Sequence, residues 1–296
     1  MENTNIPVSL LNSISIQNLW GSYNFNWPKL NRDVNILFGI NGSGKTTVID
    51  IIDFMFNLKK LTPAEKSIVT KKLNYKNCLV HINYNNNQQL KYESPNKNTH
   101  QSNFTQVFKV NNFNVLFKSK SSKNTILDYN LEHLIFKKEH EASFTFIDYR
   151  LKNLAGVNIN QSQIKIYQNK INDLYNLINE YFKDTGKEIF IDEKTNGIRF
   201  FHKRTNNYIS INELSSGEKQ LLIIIFTLFL QDEAPSILLL DEPEISLHVS
   251  WQHQLINTMR KLNPNCQLII STHSPSIFGK GWGSHIFRME GMFNNG

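Results

Sequence analysis

The chain alternates apolar and polar positions over Ile14-Ser15-Ile16-Gln17-Asn18-Leu19, the two-residue period of a strand with one buried face. Tyr23 to Trp27 is spaced to pair with it as a second strand. Val34-Asn35-Ile36-Leu37-Phe38 predicts a buried strand, and Thr47 to Ile52 predicts the helix after it. Between Leu61 and Tyr149 the texture changes. Short alternating stretches (Leu79 to Tyr84, Phe104 to Val110, Asn114 to Phe117) are separated by polar Asn, Ser and Lys segments. This predicts an antiparallel β-rich insertion with long loops. Ser143 to Asp148 returns to strand character.

Ile164, Tyr167, Ile171, Leu174, Tyr175, Ile178 and Phe182 recur at helical spacing and predict one amphipathic helix. A hairpin follows, Glu188 to Ile191 and Ile198 to His202, with a turn at Thr195-Asn196-Gly197. A helix is expected from about Ser216 to Leu230 and another from about Ser250 to Leu262. Each precedes an apolar run, Ile237 to Leu240 and Gln267 to Ser271, of the kind found where both faces of a parallel sheet are covered. Alternating strands and helices indicate an α/β fold with a mostly parallel central sheet, an antiparallel β-rich part and a helical subdomain. The expectation is one domain over residues 1–296, with the insertion at about 61–149 and the helical subdomain at about 160–232.

Composition changes this picture little. Hydrophobic residues make up 40% and charged residues 19%, ordinary for a globular protein. The net charge of +7 permits nucleic-acid binding, but the basic clusters (Lys59-Lys60, Lys71-Lys72, Lys137-Lys138) are short and scattered. Cys78 and Cys266 have neither metal-ligand spacing nor the makings of a disulfide framework, which fits a cytoplasmic setting. No secretory signal opens the sequence. The greasiest run, Leu221 to Leu230, is well short of the roughly 20 residues of a membrane span and reads as a core helix.

Candidate chemistry sits at the strand ends. Gly39-Ile40-Asn41-Gly42-Ser43-Gly44-Lys45-Thr46, between a strand and a helix that begins with Thr47, is a phosphate-binding loop. Its glycines let backbone N–H groups cradle phosphate oxygens, and the helix N-terminus favours the same anion. Lys45 can reach the β- and γ-phosphates, and the Thr46 hydroxyl can ligate Mg²⁺. Asp241 and Glu242 end the strand Ile237 to Leu240, at the edge where ligands bind in open α/β sheets. Asp241 is suited to hold Mg²⁺ through water, and Glu242 to orient or activate the attacking water. Leu214-Ser215-Ser216-Gly217-Glu218 opens the greasy helix; taken alone it reads as an ordinary cap, with Ser215 or Ser216 capping. His273, in Ser271-Thr272-His273-Ser274-Pro275, can hydrogen-bond a γ-phosphate or water, or serve as a structural polar group.

In this order, the four segments resemble the ATP-binding-cassette type of ATPase. Gly39 to Thr46 matches Walker A, Leu214 to Glu218 the signature motif, Ile237 to Glu242 Walker B, and His273 the switch histidine. The resemblance covers the N-terminal strands through Thr47 and the residues from Ile211 onward. It implies ATP and Mg²⁺ as ligands and a homodimer in which Ser215, Ser216 and Gly217 of one copy meet the γ-phosphate held by Lys45 of the other. Ser246-Leu247-His248 falls where the family's D-loop sits. Gln161 and Gln163 are candidates for the glutamine that senses Mg²⁺, and Trp20, Tyr23 or Ser22 for the adenine contact.

Asp241-Glu242-Pro243-Glu244-Ile245-Ser246-Leu247-His248 is similar to the pattern of RecF, SMC and overcoming-lysogenization-defect ATPases. The sequence lacks the heptads of an SMC arm, and little follows His273 that could form a Toprim nuclease domain. It is therefore similar to stand-alone ATPases of Septu-type and retron-associated defence modules, which implies a separately encoded effector. A RecF-like DNA-repair ATPase is the alternative, with DNA or RNA as a direct partner, and a transporter motor subunit is a third reading.

Overall fold

The structure is a computed structural model. It describes residues 10–58, 60–73, 77–84, 88–94, 106–110, 125–136, 145–154, 161–192, 197–279 and 281–295. In chain order its elements are β1 (Leu11–Leu19), β2 (Tyr23–Trp27), β3 (Val34–Phe38), α1 (Lys45–Asn57), α2 (Pro63–Leu73), β4 (Leu79–Tyr84), β5 (Gln88–Glu93) and β6 (Val107–Val110). There follow α3 (Ile126–Ile135), α4 (Phe146–Leu154), α5 (Gln161–Phe182), β7 (Lys187–Ile191), β8 (Ile198–His202), β9 (Asn207–Ile209) and α6 (Ser216–Phe229). The chain ends with β10 (Ser236–Asp241), α7 (Val249–Leu262), β11 (Cys266–Thr272), β12 (Ile286–Arg288) and β13 (Phe293–Asn295). The chain divides into two compact units: residues 1–111, 233–244 and 252–296 form the first, and 112–232 with 245–251 the second.

Two five-stranded sheets build the first unit. The parallel sheet runs β12-β3-β11-β10-β6, and the antiparallel sheet runs β13-β2-β1-β4-β5. β11 is buried at every position and β10 at all but its last, as parallel strands covered on both faces must be. β1 alternates instead, burying Leu11, Ile14, Ile16 and Leu19. The turn from β1 to β2 uses left-handed backbone at Trp20 (φ 54°) and Gly21 (φ 86°), which aims the Trp20 side chain differently from a regular strand residue. Gln267 joins the sheets: its side chain accepts the Leu11 N–H at 2.8 Å and donates to the Leu11 carbonyl at 3.0 Å. A buried amide paired in this way replaces the hydrogen bonds that it would make to water.

The second unit is organised on α6, buried along Gly217–Phe229. Phe146 and Tyr149 of α4 pack on it, with ring centroids 5.2 Å (Phe146–Phe226) and 4.9 Å (Tyr149–Phe229) apart. α3 is held by Asp128, which meets Lys219 of α6 at 2.6 Å. The greasy run Leu221 to Leu230 is thus core helix. Among the described residues no helix is long and apolar enough to cross a membrane.

The sheet partners redistribute the stretch expected as a β-rich insertion. β4 and β5 extend the sheet begun by β1, and β6 pairs in parallel with β10. α2, α3 and α4 are helices within the same stretch. Residues 104–105, 114–117 and 143–144 of the expected strands lie outside the described residues, as do Lys59, 137–138 and 195–196 of the hairpin turn. Phe146 to Asp148, expected as strand, begins α4. The deciding interaction is a cap: Thr145 Oγ1 accepts from the Asp148 N–H at 3.2 Å, while Asp148 accepts from the Thr145 N–H at 3.0 Å. Thr62 with Glu65 and Thr125 with Asp128 start α2 and α3 in the same way. The expected hairpin is present as β7–β8, with β9 added as a third strand.

Candidate nucleotide site

The P-loop leaves β3 and ends at the first turn of α1. Gly44 is the helix N-cap, in left-handed backbone (φ 93°), with no side chain capping the helix. Its N-terminal N–H groups are therefore left for an outside acceptor. A Cβ on Gly44 would lie 3.0 Å from Trp20 Cη2 and 3.2 Å from Phe293 Cζ. A Cβ on Gly39 would lie 2.8 Å from Ser43 Oγ and 3.0 Å from Met289 Cβ. The loop is thus packed from below by the C-terminal segment, and these glycines answer to crowding as well as to phosphate approach.

Lys45 is buried, and its ammonium folds back to donate to the Gly39 carbonyl at 2.9 Å and the Ile40 carbonyl at 3.0 Å. It stands 3.6 Å from Glu242 Oε1. Thr46 Oγ1 donates to Asp241 Oδ1 at 3.1 Å, and Ser271 Oγ donates to the same oxygen. β10 and β11 are adjacent parallel strands with Asp241 beside Ser271, so register brings these groups together. Glu242 has left-handed backbone (φ 47°), held by its N–H on the Ser271 carbonyl at 2.9 Å. His273 Nδ1 lies 3.5 Å from Glu242 Oε1 and 3.4 Å from Glu244 Oε1.

A cavity of about 350 Å³ opens on this cluster, lined by Trp20, Asn41, Gly42, Gly44, Lys45, Thr46, Thr47 and Glu242. Trp20 is the adenine candidate that reaches it. Tyr23 is exposed and meets Trp20 edge-on, with ring centroids 6.1 Å apart; Trp20 stacks on Phe293 at 6.0 Å. The donor set suits a nucleoside triphosphate with Mg²⁺. A hydroxyl and a carboxylate face each other beside the loop, the few protein ligands that Mg²⁺ takes when phosphates supply the rest. Ser43 Oγ, buried in the loop, has no hydrogen-bond partner among the described residues.

Ser215, Ser216 and Gly217 stand in the second unit and form a helix start of their own. Ser215 is the N-cap of α6, accepting from the Glu218 N–H at 3.2 Å. Glu218 Oε2 accepts from the Ser215 N–H and from Lys187, each at 2.7 Å. Burial pushes the Glu218 carboxyl up, but Lys187 and the Ser215 N–H outweigh it and hold it below the usual range. Asp128 follows the same balance, with burial opposed by Lys219 and Thr125. A Cβ on Gly217 would come within 2.2 Å of the Ser246 carbonyl oxygen, so glycine is required there by the chain's own packing. Gln161 and Gln163 both lie in the first turn of α5, in this unit.

Sequence reasoning passed over Ser271, Glu244, Met289 and Phe293. Ser271 and Glu244 lie inside the motifs themselves and could have been read as strand-end polar groups. Met289 and Phe293 carry no local signal, because only the pairing of β13 with β2 and of β12 with β3 brings the C-terminal segment under the loop.

The fold is similar to that of an SMC head bound to the C-winged helix domain of ScpA, with a TM-score of 0.52, 13% identity and 97% of both chains covered. Among curated proteins, the retron Ec83 probable ATPase of Escherichia coli is 34% identical over 85 residues, which is 25% of this chain. The Septu protein PtuA of Bacillus thuringiensis is 21% identical over 283 residues, 83% of this chain. The matched regions span 16% of the retron protein and 67% of the Septu protein. The chain is thus related to proteins named as a retron probable ATPase and as a Septu protein. From residue 79 to residue 279 it matches the family described as "AAA domain, putative AbiEii toxin, Type IV TA system", and with more than half of its length matched the chain belongs to that family.

Proposed function

We propose that this protein binds and hydrolyses ATP with Mg²⁺, closing head-to-tail with a second copy, and that closure controls a separately encoded effector of nuclease type in anti-phage defence. The observation that carries the reading is the grouping of Lys45, Thr46 and Glu242 around one cavity, with Asp241 hydrogen-bonded to Thr46 beside it, at a P-loop helix N-terminus without a side-chain cap. In this reading Lys45 and the N–H groups of Gly39 and of Asn41 to Thr47 bind the phosphates, and Trp20 stacks on the base. Thr46 and Asp241 hold Mg²⁺, which when bound neutralises charge at the transferring phosphoryl group. Glu242 orients the attacking water, and His273 hydrogen-bonds the γ-phosphate. Ser215, Ser216 and Gly217 come from the second copy and complete the site. The names of the retron and Septu relatives support the defence setting.

Glu242→Gln tests it. The variant should bind ATP normally, lose about 100-fold or more of its phosphate release and accumulate as a dimer by light scattering in the presence of ATP. Lys45→Ala should lose nucleotide binding by calorimetry. Unchanged turnover in Glu242→Gln would remove the catalytic assignment, and a wild-type dimer fraction that ignores ATP would remove the closure.

A further inference from the structure

Next but one to Glu242 lies a carboxylate that this scheme does not use. The Glu244 side chain is only 4% exposed, and among the described residues the ionisable ring that faces it is the imidazole of His273. Its Oε1 takes three contacts: Thr272 Oγ1 donates at 2.5 Å, the His273 N–H donates at 3.1 Å, and His273 Nδ1 stands at 3.4 Å. Its Oε2 is buried with no hydrogen-bond partner among the described residues. The two hydrogen bonds alone need no charge; a glutamine oxygen would accept both. A carboxylate taken out of water is costly unless a positive or polarised group faces it, and the ring of His273 is that group.

The surrounding bonds fix the segment on both sides of the ring. The Glu244 carbonyl accepts from Gln252 Nε2 at 3.3 Å, and Gln252 Oε1 accepts from Ser274 Oγ at 3.0 Å. Ser274 in turn donates its N–H to Thr272 Oγ1 at 2.9 Å. The residues before and after His273 are thus tied to the exit of β10, and Nδ1 stands between two carboxylates, Glu244 and Glu242.

Resting on the ATPase reading above, we propose that Glu244 is the positioning residue of His273. Its charge keeps a proton on Nδ1 and fixes the ring plane, so that Nε2 is the nitrogen presented to the γ-phosphate or the attacking water. Glu242 then serves the water while the ring stays held. Contacts of this length are expected to shorten once substrate is bound.

A double-mutant cycle on phosphate release tests this, using wild type, Glu244→Ala, His273→Ala and the double variant. Glu244→Ala should lower kcat about 10- to 100-fold, the range for partners that orient a functional histidine. The KM for ATP should stay within about twofold, and the double variant should be no slower than His273→Ala. Glu244→Gln, which keeps the acceptor and loses the charge, should remain near the alanine level. Losses that multiply in the double variant, or full rescue by glutamine, would overturn the proposal. Nitrogen NMR of the imidazoles gives a readout that does not need turnover. The resonance missing in His273→Ala should report a protonated Nδ1 in wild type and a changed Nδ1 in Glu244→Ala; an identical spectrum would overturn it. If wild type and Lys45→Ala release phosphate equally, the ATPase reading falls, and the ring spectrum decides on Glu244 by itself.

Discussion

The two motif helices, α1 in the first unit and α6 in the second, both begin next to glycines, but they treat their free N–H groups in opposite ways. α1 starts from a left-handed glycine, with no capping side chain and no acid in its first turn. α6 starts from Ser215, with Glu218 closing a capping box and Lys187 neutralising the carboxylate. The first start is left open to an anion, and the second is already satisfied by its own chain. A helix that meets its own needs can fold without ligand and still offer a hydroxyl and a close backbone to another molecule. One that leaves them unmet is stabilised when the ligand arrives. The same contrast runs through the glycines: Gly44 is required by its backbone angle, and Gly217 by the nearness of the Ser246 carbonyl.

The largest break in this comparison should come from Lys187→Ala. Glu218 has no exposed side-chain surface, and removing its partner leaves a buried carboxylate uncompensated, at about 3–5 kcal/mol. Chemical denaturation would read the loss, and nucleotide binding to the P-loop of the folded fraction should be unchanged. The sign of the acid dependence follows from the lowered Glu218 value. A carboxyl whose folded pKa lies below its unfolded one contributes stability that is full above about pH 4.3 and lost as pH falls through the folded value. Glu218→Gln should therefore flatten the acid limb of a stability-against-pH curve; an unchanged limb would show that the pair does not carry it.

Gly44→Ala sharpens the other side. Alanine in that backbone costs about 1–3 kcal/mol, and its Cβ meets Trp20 and Phe293. Melting temperature and ATP affinity should fall together, and a variant that melts lower but binds ATP as before would separate packing from phosphate binding. Ser215→Ala is the mildest test. It removes the cap from α6 at about 1 kcal/mol and should leave ATP affinity of the monomer intact.

The site was legible where its chemistry is local. Gly39 to Thr46, Asp241-Glu242 and His273 lie at strand ends in the order that apolar runs mark, and parallel pairing of β3, β11 and β10 brings these ends together. Less was legible between residues 61 and 149. Alternation there predicted strands with no partners, whereas β4 and β5 belong to a sheet begun in the first 20 residues and β6 to a sheet completed after residue 235. Phe146 was misread for a different reason. Its neighbours alternate like a strand, but the Thr145–Asp148 box satisfies a helix N-terminus, and that local hydrogen bonding outweighs the apolar alternation.

By itself, then, the sequence determined the α/β class and where the glycine-rich loop and the acidic strand end fall, because each depends on residues that are neighbours along the chain. Tertiary structure alone decided that Trp20 and Phe293 stack beneath Gly44, that Gln267 pins the two sheets together, and that a buried Glu244 faces His273. Those pairings join segments far apart in sequence. They are set by strand register and by the need of each buried polar group for a partner, and no local pattern records either one.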